Sequence, residues 1–155
     1  MFRTMRKSQR QLPPEDADAI LLEGSSGVLA LSGDEGWPYA VPLSYIYTGG
    51  KLYFHCAREG HKLDALRREP RASFCVIAQD RICPEKYTTL YRSVIAFGRL
   101  RILEDEEEIR RAITALAKKY FPDETEESRR QEIARSRNAM YLLEMSVEHL
   151  TGKAR

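Results

Sequence analysis

The stretch from Tyr39 to Cys56 constrains the fold more than any other part of the chain. Apolar side chains alternate along Tyr39 to Tyr47, which is the spacing that places them on one face of a β-strand. Gly49 and Gly50 follow, and two adjacent glycines admit the positive φ angles that a tight hairpin turn requires. Leu52 to Cys56 alternates again, so the sequence predicts an antiparallel hairpin across this turn.

The remaining apolar patterns predict a mainly β fold with flanking helices. Further strands are predicted at Val28–Leu31, Ala72–Ala78, Thr88–Leu103 and Met140–Val147, and helices at Asp16–Glu23, His61–Arg68, Asp105–Tyr120 and Glu124–Asn138. The polar segment Gln79–Lys86 contains a proline and is predicted to be a loop, and Gly98 indicates a bulge or a close backbone approach. Antiparallel strands joined by hairpins favour a β-barrel over a doubly wound parallel sheet.

Length and composition limit the classes of protein that this chain can represent. Its 155 residues suit one domain, which we place at 15–155 after a flexible N-terminal leader at 1–14. Because 25 Lys and Arg stand against 23 Asp and Glu, a dedicated nucleic-acid binder is not expected. No apolar run is long enough for a membrane helix, and we do not expect the leader to be a secretory signal, because it has no apolar stretch followed by small residues. The three cysteines lack metal-binding spacing, so we expect reduced thiols, no metal site and a cytoplasmic location.

The segment from His55 to Lys62 is the most informative candidate site. A predicted strand ends there, Gly60 allows a tight turn, and a helix begins at once. The first amides of a helix have no internal partner and carry partial positive charge, so they suit a phosphate group. Lys62 adds a cation and His61 another donor. The alternative is that Gly60 only makes a turn and that Lys62 is a solvated surface charge.

Two further stretches place polar or unusual residues inside apolar strands. Pro42, within Val41-Pro42-Leu43-Ser44, cannot donate to a strand partner and marks either an ordinary edge strand or a place where backbone groups are free for a planar ligand. In Tyr91-Arg92-Ser93 the polar side chains need partners if they are covered, or else lie on an exposed strand face. No serine triad, paired-carboxylate motif, dinucleotide fingerprint or P-loop is present.

Taken together and in order, these stretches closely resemble the nitroimidazole-resistance branch of the pyridoxamine 5′-phosphate oxidase-like superfamily. The resemblance rests on Pro38–Tyr45, Gly49–His55, Glu59–Lys62, Pro70–Phe74, Tyr91–Val94 with Gly98, and Leu150–Lys153. It implies an FMN-binding split β-barrel that forms a homodimer, with two flavin sites at the subunit interface. It also implies the cofactor-binding residues, which are Val41, Pro42, Leu43, Ser44, His55, His61, Lys62, Tyr91, Arg92 and Ser93.

The activity implied by the resemblance is flavin redox chemistry on a small aromatic or heteroaromatic substrate, and nitro-group reduction is the reaction of that branch. His55 is the candidate proton donor because histidine titrates near neutrality, although a histidine bonded to neighbouring backbone is an equal alternative. A haem-binding or deazaflavin-dependent split barrel is one rival. Another is a non-catalytic flavin sensor that uses the charged segment 123–137 as a partner surface. No nucleic-acid or membrane partner is expected.

Overall fold

The computed structural model describes residues 1–155 and contains seven β-strands and four α-helices. The strands are β1 (Ser26–Ser32), β2 (Pro38–Ser44), β3 (Ile46–Thr48), β4 (Lys51–Ala57), β5 (Arg71–Cys83), β6 (Thr88–Ile102) and β7 (Met140–Ala154). The helices are α1 (Pro14–Glu23), α2 (His61–Arg68), α3 (Glu106–Tyr120) and α4 (Glu126–Ser136). No helix is long and apolar enough to cross a lipid bilayer.

All seven strands belong to one sheet, in the order β2-β1-β5-β6-β7-β4-β3, and each neighbouring pair is antiparallel. β2 and β3 lie at opposite edges of this order, yet only Tyr45 separates them along the chain. The sheet must therefore curl until its two edges meet at Tyr45, which produces a barrel with an unpaired seam. The predicted mainly β split barrel with flanking helices is confirmed.

The predicted hairpin is correct only next to its glycine turn. Ile46–Thr48 pairs with β4 across Gly49 and Gly50, but Pro38–Ser44 pairs with β1. The prediction of a single strand from Tyr39 to Tyr47 was therefore wrong. Side-chain alternation is continuous through Tyr45 and shows which face is buried, but it carries no information about which strand lies alongside.

The loop predicted at Gln79–Lys86 is wrong over Gln79–Cys83, and only Pro84–Lys86 form a turn between two strands. β5 continues to Cys83 and pairs with the start of β6, after a register shift between Ile77 and Gln79. Beyond this shift Asp80, Arg81 and Ile82 are exposed, although Cys83 at the end of β5 is buried, so polar side chains are compatible with strand structure there. The polar composition led to a loop prediction because a strand with one buried face would have apolar side chains at alternate positions.

The core has two parts, separated by the wall of the barrel. Inside the barrel, 20 buried residues from the strands, α1 and α2 form one cluster, with Tyr45, Phe54 and Phe74 as its largest side chains. On the outside, α3 packs on β3, β4 and β7, and its buried residues are Ile109, Ala112, Ile113 and Leu116. The Asp105 side chain caps α3 by accepting a hydrogen bond from the amide of Glu108 at 2.9 Å.

An ion-pair network around the buried Glu144 fastens α3 to the barrel. Glu144 on β7 is 2% exposed and accepts from Lys51 at 3.0 Å and from Arg101 at 2.9 Å. Arg101 also donates to Glu108 on α3. Burial acts to raise the pKa of Glu144, but hydrogen bonds from Arg101 and Lys51 outweigh it, so the pKa lies below its ordinary value. The carboxylate is therefore held charged inside the wall.

The N-terminal leader lies along the far ends of β6 and β7. The amide of Leu12 donates to the carbonyl of Gly152 at 2.9 Å, and Gln11 forms an isolated bridge with Lys153. The Phe2 ring stacks on His149 with centroids 4.5 Å apart. The leader thus contacts the sheet at several points, while its flexibility stays a prediction.

Candidate functional site

The start of α2 presents unpaired backbone donors beside a free cation. Gly60 has φ 122°, a value that favours glycine, and its carbonyl accepts from the amides of Leu63 and Asp64. The amides of His61 and Lys62 precede these and have no acceptor within the helix. Lys62 is half-buried and takes part in none of the ion pairs around α2. One of these pairs joins Arg67 to Asp64, and two others join Asp34 to Arg68 and to His61.

The His61 side chain anchors α2 to the β1–β2 connection. Its ring stacks on Tyr39 with centroids 4.0 Å apart, and its Nε2 lies 3.5 Å from a carboxylate oxygen of Asp34. Arg68 binds the other oxygen of the same carboxylate at 2.6 Å. One ring nitrogen of His61 is thus directed at Asp34, and its role as a cofactor donor stays a prediction.

His55 points outward from β4, on the strand face opposite the barrel core. Partial desolvation lowers the pKa of the His55 imidazole below its ordinary value of 6.5, and the positive charge of Lys62 lowers it further. The next residue, Cys56, faces the core, and burial raises the pKa of its thiol. His55 and Lys62, two of the predicted site residues, therefore share one electrostatic environment.

This environment predicts a measurable response of His55 to the loss of Lys62. In a Lys62→Met variant, NMR titration should show a higher His55 pKa that still lies below 6.5, because desolvation remains. Since the folded state binds this proton less readily than the unfolded chain, His55 disfavours folding as the pH drops below about 6.5. An unchanged His55 pKa in the variant would show that the two side chains do not interact.

A cleft of about 600 Å³ opens next to His55 and is roofed by the last two helices. The barrel contributes Ser44, His55 and Met140. The helices α3 and α4 and the segment between them contribute Ile113, Leu116, Ala117, Tyr120, Phe121, Glu124, Ser128, Arg129, Glu132, Ile133 and Ser136. Its volume and half-apolar lining are typical of small-molecule sites. The sequence reading missed the helical wall, because the apolar spacing of α3 indicates burial against the barrel and gives no sign of a cleft.

A second groove, of about 690 Å³, runs between α3 and α4. Its lining is mostly charged, and its charges are largely paired, as in Lys118 with Glu126 and Arg137 with Glu106. None of the predicted site residues lines it. Although this groove is slightly larger, the cleft at His55 is the better candidate site because half of its lining is apolar and two of the predicted site residues, Ser44 and His55, lie in it.

The predicted strand Val41–Ser44 forms the edge β2 and borders this cleft. Val41 and Leu43 turn towards the barrel core, and Pro42 and Ser44 are exposed. β2 pairs with β1 on one side only, so its other edge has no strand partner. The expectation of an edge strand at Pro42 is therefore confirmed, and backbone groups along that edge are available to a ligand.

The predicted residues Tyr91, Arg92 and Ser93 lie elsewhere in the chain's own fold. Ser93 pairs with Lys153 near the end of β7, whereas His55 pairs with Leu142 near its beginning, eleven residues away. The Tyr91 hydroxyl accepts from Arg10 at 3.3 Å. Within one chain the structure thus brings together β2, His55 and the start of α2, and it leaves Tyr91–Ser93 apart from them.

Solved structures with the same fold come from several bacteria. A candidate 5-nitroimidazole antibiotic resistance protein from Bacteroides thetaiotaomicron superposes with a TM-score of 0.80 at 22% identity, over 93% of this chain and 86% of that one. A conserved hypothetical protein from Mycobacterium tuberculosis gives 0.83 at 19% identity, over 97% and 90%. An FAD-binding protein from Mesorhizobium loti gives 0.70 at 22% identity, over 94% and 97%.

These structural matches are under 25% identical and establish the fold alone. Among curated proteins, no sequence matches this chain. The sequence profile of the pyridoxamine 5′-phosphate oxidase family matches residues 13–154, which is nearly the whole chain. The chain therefore belongs to the pyridoxamine 5′-phosphate oxidase family.

Proposed function

We propose that this protein is an FMN-dependent oxidoreductase that acts on a small aromatic or heteroaromatic substrate. The observation that carries the proposal is the start of α2, where the amides of His61 and Lys62 and the Lys62 ammonium are without protein partners. A terminal phosphate group fits this arrangement, because it accepts several hydrogen bonds and carries the opposite charge. The match to the family supports the same assignment.

The position of the phosphate sets where the rest of the cofactor lies. From Lys62 the flavin extends towards His55 and Ser44, where the free edge of β2 offers backbone groups to the polar rim of the ring. The part of the cleft lined by α3 and α4 is left for a substrate. Bound FMN supplies the redox chemistry, and the chain supplies its binding and orientation.

His55 is the proposed proton donor in this site. In the flavin-free protein its lowered pKa keeps the imidazole neutral at pH 7. A phosphate beside Lys62 offsets the lysine charge, which is one of the two causes of the lowering, and so raises the His55 pKa towards its ordinary value. Cofactor binding would thereby bring His55 closer to the range in which it can donate a proton.

We also propose that the protein is a homodimer with a flavin site shared between subunits. Three apolar side chains on neighbouring strands face outward from the barrel: Val28 and Ile95 are each 40% exposed, and Ile77 is 66% exposed. Val28 and Ile95 are both paired with Cys75, so they lie in one row across the sheet. Ser93 is paired with Ile77, and burial of this face against a second copy would carry Tyr91–Ser93 towards the partner's cleft.

The direct test is to purify the protein, record its visible spectrum, and identify any released cofactor by mass. We expect the two absorption bands of oxidised flavin and one FMN per chain, tighter binding of FMN than of riboflavin, and a dimer mass by light scattering. Consumption of reduced nicotinamide with a nitroaromatic acceptor would establish turnover. A Soret band, or a colourless protein that does not respond to FMN, would reject the proposal, and tight FMN without turnover would indicate a sensor.

A further inference from the structure

The seam of the barrel leaves one peptide segment without strand partners. The β1–β2 ladder ends at Ser44, which lies opposite Ser26, and the β3–β4 ladder begins at Ile46, which lies opposite Tyr53. Tyr45 falls between the two ladders and is completely buried. Its amide and carbonyl cannot reach water, so other groups must bind them.

Two neighbouring residues at the end of α3 provide those groups. The Tyr45 amide donates to the hydroxyl of Tyr120 at 2.8 Å. The ammonium of Lys119 donates to the Tyr45 carbonyl at 3.0 Å and to the Gly24 carbonyl at 2.5 Å. Burial lowers the pKa of Lys119, whose ammonium also lies 4.3 Å from the centre of the Tyr45 ring.

The Tyr120 hydroxyl serves the seam both as an acceptor and as a donor. It lies within hydrogen-bonding distance of the carbonyls of Ser25 and Tyr45, and it accepts from the Tyr45 amide. A hydroxyl has a single proton to donate. Because Lys119 already serves the Tyr45 carbonyl, the Tyr120 proton can go to Ser25, and every main-chain group at the seam is satisfied.

The same tyrosine also forms part of the cleft wall. The Tyr120 ring lines the cleft together with Ser44 and His55. Ser44 directly precedes Tyr45, whose backbone Tyr120 binds. A change at the Tyr120 hydroxyl therefore reaches the cleft through one peptide bond. No other side chain in the cleft combines contact with the ligand space and hydrogen bonds to the seam backbone.

We propose that Tyr120 is a positioning residue, which takes the place of a missing strand at the seam and so sets where Ser44 meets the flavin ring. This inference rests on the proposed flavin site. The inference concerns binding of the flavin ring and not of the phosphate, because Tyr120 contacts the seam and has no contact with α2, where the phosphate is proposed to bind. Its loss should therefore affect every flavin that carries the same ring.

The test compares the binding of FMN and riboflavin by wild type and a Tyr120→Phe variant, which keeps the ring and removes the hydroxyl. We expect the affinities for both flavins to fall about tenfold, because the buried amide of Tyr45, next to Ser44, loses its hydrogen-bond partner. The visible bands of the bound flavin should shift as well. Tyr87→Phe is the matched control, because Tyr87 is 98% exposed, and it should change neither affinity nor spectrum.

A purely structural role would lower the melting temperature of Tyr120→Phe while leaving both affinities and the spectrum unchanged, and that result overturns the inference. If the variant fails to fold, Lys119→Met serves instead. It removes one donor from the Tyr45 carbonyl and should weaken both flavins by about threefold. An unchanged affinity in that variant also overturns the inference. If wild type binds neither flavin, the proposed function itself has failed, which is a separate outcome.

Discussion

A Gly98→Ala variant is expected to lose about 3 kcal/mol or more of its free energy of unfolding, which is large for a single methyl group. Gly98 lies in β6 at a register shift relative to β7. A Cβ atom there would lie 1.9 Å from the carbonyl oxygen of Ser146 and 2.9 Å from its carbonyl carbon. Both are backbone atoms, so the clash cannot be relieved by a rotamer change, and the two longest strands of the barrel must separate locally.

Thermal and urea denaturation followed by circular dichroism would measure this loss. For a domain of this size, we expect the melting temperature to fall by about 6–12 °C. Gly50→Ala is the matched control, because Gly50 has φ 74° but no atom within 4 Å of an added Cβ. It should cost only about 1–2 kcal/mol, from the positive φ angle. Equal losses in the two variants would mean that β6 and β7 are not closely apposed at Gly98.

Features that depend on local chemistry were well predicted from the sequence. The bulge at Gly98 is confirmed, because a glycine inside an apolar strand is seldom tolerated without a packing reason. The bounds of α2 agree with the prediction, since Gly60 and Pro70 mark them directly. α3 also agrees with the predicted helix Asp105–Tyr120 to within one residue, because apolar side chains at spacings of three and four residues specify a helix.

Features that depend on distant partners were not predictable in the same way. Where β2 and β3 separate, the backbone of Tyr45 is bound by Tyr120, which lies 75 residues further along the chain. Nothing in the local pattern around Tyr45 indicates this contact. The helical wall of the cleft and the polar end of β5 were missed for the same reason. Both depend on which helices or strands pack next to them in the folded structure.

A Lys62→Met variant is expected to bind FMN about 10-fold to 100-fold more weakly than wild type, while its affinity for riboflavin stays unchanged. Methionine keeps most of the length and apolar area of lysine and removes the charge together with the hydrogen-bond donors of the ammonium. A hydrogen bond between an ammonium and a phosphate contributes about 1.5–3 kcal/mol, and each 1.4 kcal/mol is a factor of ten. Riboflavin has the same ring but no phosphate, so it has nothing to lose at Lys62.

Fluorescence titration of wild type and Lys62→Met with FMN and with riboflavin gives four affinities. Together they form a double-mutant cycle that isolates the contact between Lys62 and the phosphate. Lys86→Met, an exposed lysine in the β5–β6 connection, controls for a general change in net charge. The FMN affinity of Lys62→Met should also become less dependent on salt, since screening acts on the ion pair that was removed. If Lys62→Met weakens FMN and riboflavin equally, the lysine acts on the ring or on folding. The start of α2 would then not be the phosphate site, and the main support for FMN as the cofactor would be lost.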